Sequence, residues 1–267
     1  MSTLRLVLRA VALGLGTAVL VLVCALGWIP ALLLGRTGAW RARMLQVWSR
    51  WLCWILGARV EVRGQPPRGS FLLVTNHLSY VDVVVLGSCL RCCFVSKAEV
   101  RHWPLIGVLS RIGGTIFIDR DRRRDVVQAG GAIQRVLEQG NAVVFFPEGT
   151  STAGDEILPF RSSLLEPAAA LARPVHHATL RYTTPPGQPP ARWSVAWWGD
   201  MDFLPHFLGL LRLRGFRAEV AFGAEPVQPA DRKSLAVRLH GAVASRFLPM
   251  LPEEDACLPS RTSPASS

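Results

Sequence analysis

The sequence predicts an α/β fold in which a mixed sheet is flanked by helices on both faces, with a two-helix membrane anchor at the N-terminus. From residue 59 onward, short apolar segments with strand character alternate with helical segments, which is typical of a sheet covered on both faces. Residues 10–34 form an apolar run without a charged side chain, long enough to cross a bilayer. The length of 267 residues leaves room for one large domain and an appendage.

The predicted elements follow the hydrophobic pattern and the helix-stop signals of the chain. Strands are predicted at residues 59–63, 71–75, 93–96, 115–118, 142–146, 175–181, 194–198 and 217–222. Helices are predicted at residues 81–90, 102–111, 124–139, 162–172, 203–211 and 231–247. Gly140 is expected to close the third of these helices in the usual C-cap position. We therefore expect membrane-anchoring helices at 1–57, the α/β domain at 58–248, and a disordered tail at 249–267.

The anchor prediction depends on two segments. Residues 10–34 are too long an apolar run for a signal peptide, and arginines on both flanks give no clear orientation across a membrane. Residues 44–56 mix tryptophan with arginine, a combination typical of membrane interfaces. Amphipathic helices also pack on protein cores, so the second segment has an alternative role as a core-packing helix.

The composition points to a lipid surface rather than to nucleic acid. Half of the residues are hydrophobic (50%), and 30 Lys and Arg against 19 Asp and Glu give a formal charge of +11. A basic, apolar protein suits anionic lipid, and the chain carries no nucleic-acid-binding motif. The six cysteines form no zinc pattern, since no second pair follows Cys89, Cys92 and Cys93. Free, buried thiols in a reducing compartment and no metal site are expected.

One short stretch, residues 75–82, carries the strongest chemical pattern. The strand predicted at 71–75 leads into His77, and Ser79 with Asp82 forms a capping-box pattern for the next helix. This places His77 at the edge of the sheet where ligands bind in α/β proteins, with Asp82 within reach of its imidazole. A histidine oriented by a carboxylate is a general base. The alternative is an ordinary helix start with a polar loop histidine.

Further polar residues follow other strands and lie at the same predicted edge. Arg120 follows the strand at 115–118 and is a candidate for holding a phosphate. Glu148 and Thr150 are presented on a turn made by Pro and Gly, which is equally consistent with a plain surface turn. Arg161 opens a helix, where it can meet an anion or remain a solvated side chain.

Several reaction types lack their motifs in this chain. It contains no Gly-x-Ser-x-Gly elbow, no Walker A loop, no Gly-x-Gly-x-x-Gly sequence and no His-Glu-x-x-His zinc motif. The absence of these patterns favours direct transfer to a substrate hydroxyl over routes that use a protein nucleophile, a nucleotide or a metal.

The motifs together resemble the glycerolipid acyltransferases. The resemblance rests on Asn76-His77-x-x-x-x-Asp82, on Gly114 through Arg120, and on residues 146–150. It is closest to the 1-acyl-sn-glycerol-3-phosphate acyltransferases. Residues 97–107 and 198–201 also look like the bacterial branch that includes lyso-ornithine lipid acyltransferases.

This resemblance implies roles for individual residues. His77 would be the general base and Asp82 its orienting partner. Arg120 would hold the acceptor phosphate or head group. The implied substrate-binding residues are Asn76, Arg120, Glu148, Gly149, Thr150 and Arg161.

The resemblance also implies a reaction. An acyl group would move from acyl-CoA or acyl-carrier protein to the free hydroxyl of 1-acyl-sn-glycerol 3-phosphate, with no metal or other cofactor. Lyso-ornithine lipid or another lysophospholipid is the alternative acceptor, and a catalytically silent lipid-binding protein is the second alternative. The expected location is the cell inner membrane, with membrane lipids and lysophospholipid as partners and the catalytic domain on the cytoplasmic side.

Overall fold

A seven-stranded sheet forms the centre of the protein in the computed structural model, which describes residues 2–119, 123–228 and 230–250. Its strands are β1 Ala58–Arg63, β2 Leu72–Thr75, β3 Cys92–Lys97, β4 Ile116–Ile118, β5 Ala142–Phe145, β6 Val175–Thr183 and β7 Phe216–Phe222. They lie in the order β1-β7-β6-β2-β5-β3-β4. Only β6 and β7 pair antiparallel, and the other paired strands run parallel. The predicted mixed sheet is therefore confirmed.

Ten α-helices accompany this sheet within the described residues, and some of them cover its two faces. They are α1 Ser2–Leu26, α2 Trp28–Leu33, α3 Thr37–Leu56, α4 Val81–Cys89, α5 Ile106–Ile112, α6 Arg123–Glu138, α7 Ser162–Ala170, α8 Ala191–Ser194, α9 Phe203–Arg212 and α10 Arg232–Ala244. On β2, Leu73 packs in a core with side chains of α3, α4 and α9. The adjacent Leu72 packs in a second core with side chains of α6, α7 and α10. Successive side chains of a strand point to opposite faces, so β2 is buried from both sides.

This double burial explains the sequences of the central strands. Every residue of β2 and β5 is buried, and strands buried on both faces are continuously apolar rather than alternating. Gly140 follows α6 with φ of +77°, and its N–H donates to the carbonyl of Leu137. The predicted glycine stop of this helix is thus confirmed.

The strand predicted at residues 194–198 is wrong. The chain there forms the short helix α8 and a loop, in which the N–H groups of Trp193 and Ser194 donate to the carbonyl of Pro190. Val195 and Ala196 are fully buried. Their apolar character reflects burial of a loop in the core, which a short hydrophobic run alone does not distinguish from a strand.

The N-terminal helices differ in their surroundings. Residues Thr3–Leu26 of α1 have a mean hydropathy of 2.4 and are long enough to span a membrane, and their side chains, apart from that of Cys24, are not buried in the protein. The first turns of α1 are tied to the domain by Arg9, which donates to the carbonyls of Leu211 and Leu213 at the end of α9. Helix α3 buries Leu52 and Leu56 in the core. It therefore packs on the domain, while its membrane role stays a prediction.

The described cysteines are free thiols, and the described chain ends at a buried residue, Met250. The five cysteines within the described residues are free, and all are buried except the partly exposed Cys89. Burial raises the pKa of Cys53 to about 11 and that of Cys93 to about 12. Met250 is buried, and its N–H donates to the carbonyl of Gly154. Most of the tail predicted at 249–267 lies outside the described residues.

Candidate active site

The pair predicted from residues 75–82 is present at the carboxyl end of β2. Nδ1 of His77 lies 2.7 Å from Oδ2 of Asp82, which is fully buried in the first turn of α4. The same carboxylate oxygen accepts the N–H groups of Leu78 at 2.7 Å and Ser79 at 3.1 Å. These bonds fix the carboxylate, and the carboxylate fixes the imidazole ring.

Half of the predicted capping box forms. The carboxylate of Asp82 accepts the N–H of Ser79, as a capping box requires. The hydroxyl of Ser79, however, is buried without a hydrogen-bond partner among the described residues. Tyr80, not Ser79, is the N-cap residue of α4. The prediction that Ser79 caps this helix is therefore wrong, and the Asp82 side chain is what organises the turn.

The imidazole of His77 is held on one side and open on the other. Its ring stacks on Phe146, with centroids 4.2 Å apart and an interplanar angle of 25°, and the side chain is 23% exposed. When Nδ1–H is donated to a carboxylate, the neutral ring carries its lone pair on Nε2. The arrangement therefore presents a proton-accepting nitrogen at a partly open position.

A tyrosine that the sequence did not indicate completes the pair. The hydroxyl of Tyr182, near the end of β6, donates to Oδ1 of Asp82 at 2.6 Å. The side chain is almost fully buried. Burial, followed by the charge of Asp82, raises the pKa of Tyr182 well above its ordinary value, so the hydroxyl stays a donor. The sequence offered one weak signal, since the chain has only two tyrosines.

Glu148 contacts the backbone around the histidine. Its Oε1 accepts the N–H of His77 at 2.8 Å, and its Oε2 accepts the N–H of Leu158 at 2.9 Å. The residue is 1% exposed. Burial raises the pKa of Glu148 to about 7, although these hydrogen bonds and the nearby His77 act in the opposite direction. The carboxyl group thus joins the segment after β5 to the segment after β2.

The turn predicted around Glu148 is present. Gly149 is buried with φ of +77°, a conformation that favours glycine, and its N–H donates to the carbonyl of Phe146. Thr150 follows as an exposed residue. The N–H of Thr152 then donates to the carbonyl of His77 at 2.9 Å, so the turn is tied to the histidine on both sides.

Asn76 is buried, with 1% of its surface exposed. Its carboxamide oxygen accepts the N–H of Leu180 at 2.7 Å, and its amide nitrogen donates to the carbonyl of Leu180 at 3.0 Å. The side chain therefore bonds to the backbone of β6. Its predicted contact with substrate stays a prediction that these contacts do not favour.

Of the two predicted arginines, Arg161 lies within the described residues and Arg120 does not. Arg161 is exposed at the start of α7, and its N–H donates to the carbonyl of Pro147 at 2.8 Å, next to Glu148. Arg120 lies outside the described residues. The structure thus brings His77, Asp82 and Glu148 together, leaves Thr150 exposed after the turn, and joins the exposed Arg161 to the turn through Pro147.

An aromatic cluster packs beside the start of α4. The ring of Tyr80 lies 6.0 Å from Trp197 and 5.1 Å from Phe203. The N–H of Trp197 donates to the carbonyl of Leu78 at 2.9 Å. The loop after α8, predicted as a strand, therefore serves to hold the segment that follows His77.

Comparisons with known proteins show which family the chain resembles. A protein-family model described as Acyltransferase matches residues 59–181. A lyso-ornithine lipid O-acyltransferase of Rhodobacter capsulatus is 37% identical over 250 residues, which cover 90% of this chain and 89% of the relative. A 1-acyl-sn-glycerol-3-phosphate acyltransferase of Neisseria meningitidis is 29% identical over 172 residues, 64% of this chain and 67% of the relative.

A solved structure shares the fold. The crystal structure of the 1-acyl-sn-glycerophosphate acyltransferase from Thermotoga maritima superposes with a TM-score of 0.63 at 18% identity. The match covers 92% of this chain and 97% of that one. The arrangement of sheet and helices described above is therefore a known one.

Proposed function

The chain belongs to the acyltransferase family, and we propose that it transfers a fatty acyl group from a thioester donor to the free hydroxyl of a lysolipid. The observation that carries this proposal is the 2.7 Å contact between Nδ1 of His77 and the buried carboxylate of Asp82. It leaves Nε2 as a base at a partly open position. An intact pair of this kind also argues against a catalytically silent lipid-binding protein.

The reaction proceeds by direct attack. Nε2 of His77 takes the proton from the acceptor hydroxyl as the hydroxyl oxygen attacks the carbonyl carbon of the thioester. Asp82 stabilises the imidazolium that forms. The carbon–sulfur bond then breaks, and the leaving thiolate takes the proton back from the imidazolium, giving an ester and a free thiol.

The acceptor we favour is lyso-ornithine lipid. The Rhodobacter relative named for that acceptor aligns over 90% of this chain at 37% identity. The second candidate is 1-acyl-sn-glycerol 3-phosphate, supported by the Neisseria relative at 29% identity over 64% of the chain. Both acceptors bring their own hydroxyl, so the same pair of side chains serves either reaction.

The residues around the pair have different roles in this proposal. Thr150 and Arg161 contact the acceptor from the exposed side of the turn, together with Arg120. Asn76 and Glu148 act by positioning, because each is almost fully buried and bonded to backbone groups. Gly149 shapes the turn that presents them. The donor is acyl-CoA or acyl-carrier protein, and an acidic carrier would complement the charge of +11.

We place the protein at the inner membrane with its catalytic domain in the cytoplasm. The apolar side chains of α1 are exposed along the helix, and a bilayer would cover them. Helix α3 presents Trp54, which is 77% exposed, on the side away from the core, where it suits the membrane interface. The two helices thus form the anchor together, with α3 contributing its outer face.

The test of the acceptor uses membranes that contain the full chain. Labelled acyl-CoA and acyl-carrier protein are each offered with lyso-ornithine lipid and with 1-acyl-sn-glycerol 3-phosphate. Product from the ornithine acceptor is expected. Product from the phosphate acceptor alone would move the chain to the second candidate, and no product from either would contradict the proposed function.

A further inference from the structure

We propose that Tyr182 is a positioning residue for the His77–Asp82 pair, and that Asn76 holds β6 in the register that brings Tyr182 to Asp82. The inference rests on the proposed function and deepens it. It assigns a role to a residue that lies far from the motif in sequence and a new role to the first residue of the motif.

The backbone hydrogen-bond ladder between β2 and β6 ends just before Asn76. The last backbone pair of these parallel strands joins Thr75 with Ala178. Beyond it, the chain turns away from the sheet to place His77. The Asn76 carboxamide accepts from the N–H of Leu180 and donates to its carbonyl. A carboxamide offers the same donor and acceptor as a peptide group, so Asn76 extends the ladder by one side-chain rung.

Tyr182 has a fixed position near the end of β6. It lies two residues after Leu180, and residues two apart in a strand face the same side. Its ring packs edge-on against Phe216, with centroids 5.8 Å apart at 85°. The backbone is held on its other side by the antiparallel pairing of Tyr182 with Ala218. The hydroxyl is therefore fixed by strand register and ring packing.

The two carboxylate oxygens of Asp82 accept hydrogen bonds from different groups. Oδ2 accepts from Nδ1 of His77 and from two backbone N–H groups. Among the described residues, the hydrogen bond that Oδ1 accepts comes from Tyr182. Because Asp82 is fully buried, loss of this bond would leave a carboxylate oxygen without a partner, which is costly. The hydroxyl of Tyr182 also draws on the negative charge of Asp82, which is the charge that stabilises the imidazolium of His77.

The titratable groups that face this carboxylate come from three elements or their ends. They are His77 after β2, Glu148 after β5 and Tyr182 on β6, and Cys53 on α3 lies near Tyr182 rather than near the carboxylate. Burial raises the pKa of Glu148 to about 7 and that of Cys53 to about 11. Because Glu148 titrates near neutral pH, the test compares variants in which Glu148 is unchanged.

The decisive variant is Tyr182→Phe, which removes only the hydroxyl. We expect kcat to fall roughly tenfold with little change in KM for donor or acceptor, because a carboxylate no longer fixed by the hydroxyl positions the imidazole less well. Without the hydroxyl, the carboxylate holds the protonated imidazole more tightly. The acid limb of the pH–rate profile should therefore move to higher pH, by about half a unit or more.

The matched control is Tyr80→Phe, since Tyr80 is the other tyrosine of the chain. Its hydroxyl lies 3.0 Å from Nδ1 of His206 and does not bond to Asp82. We expect the acid limb of this variant to coincide with that of the unchanged protein. The role of Tyr182 would be refuted if Tyr182→Phe kept the unchanged pH profile, or if Tyr80→Phe moved it equally.

A direct titration separates this inference from the proposed function. The imidazole nitrogens of His77 are followed by ¹⁵N NMR over pH in detergent, with Tyr182→Phe beside the unchanged chain. A higher titration midpoint in the variant supports the inference even if no acceptor is turned over, and equal midpoints overturn it. Lack of acyl transfer by the unchanged chain would instead count against the proposed function.

The role of Asn76 is tested by combination. If Asn76 acts through Tyr182, the double variant Asn76→Ala with Tyr182→Phe should lose no more than about twofold beyond the worse single variant. Multiplied losses would show that Asn76 acts independently. If Asn76→Ala fails to fold, Asn76→Asp is used in its place in the same comparison of single and double variants, because aspartate keeps the acceptor for the Leu180 N–H.

Discussion

The backbone N–H of His77 donates a hydrogen bond to Oε1 of Glu148, with nitrogen and oxygen 2.8 Å apart. The side chain of Glu148, in the motif after β5, thus bonds directly to the main chain of His77, in the motif after β2. Because Oε2 accepts the N–H of Leu158 as well, both carboxylate oxygens are used inside the protein. Glu148 is therefore better placed to position His77 than to contact substrate.

The buried carboxyl makes stability depend on pH. Burial raises the pKa of Glu148 from 4.5 to about 7, so between these values the folded protein binds more of a proton than the unfolded chain. The free energy of unfolding should fall as pH rises through this window, by about 1–3 kcal/mol. Urea unfolding in detergent from pH 4.5 to 8 measures this slope.

Glu148→Gln is the matched variant, because glutamine does not titrate. The variant starts less stable, since one of its two acceptors is replaced by an amide NH₂ that faces an N–H. Its free energy of unfolding should lack the contribution of Glu148, so the difference between the two proteins narrows as pH rises. A difference that stays constant over the window would show that Glu148 does not titrate there.

Asp82→Asn should abolish most of the turnover while changing little of the shape. An asparagine cannot accept from Nδ1 of His77, from the backbone N–H groups and from Tyr182 with the strength of a carboxylate. We expect kcat to fall by about 10² to 10⁴. Asp231→Asn is the control, because Asp231 caps α10 and asparagine caps equally well. Equal activity of the two variants would exclude a role for Asp82 in orienting the base.

Arg120→Ala should raise the KM for the acceptor with little change in kcat, because a guanidinium binds a carboxylate or phosphate of the acceptor head group in the ground state and the transition state alike. Arg135→Ala, at the exposed end of α6, is the charge-matched control. Steady-state kinetics with each substrate varied in turn provides the measurement. An equal rise in KM for donor and acceptor would argue against an acceptor site at Arg120.

Removal of residues 1–34 should weaken membrane attachment without abolishing it. The exposed apolar side chains of α1 leave with the deletion, whereas the outer face of α3 and the basic surface remain. The shortened chain should therefore pellet with anionic vesicles at low salt and be released at high salt, since exposed charges are screened. The full chain should stay bound at both. Salt-resistant binding of the shortened chain would contradict an anchoring role for α1.

Local patterns predicted most of the fold and the central pair. Full burial of β2 and β5 gives continuous apolar runs, and the spacing from His77 to Asp82 spans a single strand–helix turn. The apolar pattern at 194–198 predicts a strand, but residues 195–198 form a loop in which Val195 and Ala196 are buried. Its backbone partners are set by tertiary contacts, such as the bond from Trp197 to Leu78.

Long-range contacts were beyond a reading of the sequence. Tyr182 is 100 residues from Asp82 along the chain, and it meets the carboxylate only because β6 lies beside β2. The bonds from Asn76 to Leu180 depend on the same register. Each of these residues has an ordinary local context, so the family resemblance implies a substrate role for Asn76 and nothing in the sequence indicates a role for Tyr182.

The central claim is that His77 is the base that accepts the hydroxyl proton. Acyl transfer by membranes carrying His77→Ala tests it most directly, with His176→Ala as control, since His176 lies at the opposite end of the sheet near the start of β6. Turnover should fall at least about a hundredfold in His77→Ala and stay near the unchanged value in the control. Near-normal turnover by a folded His77→Ala protein would contradict the mechanism.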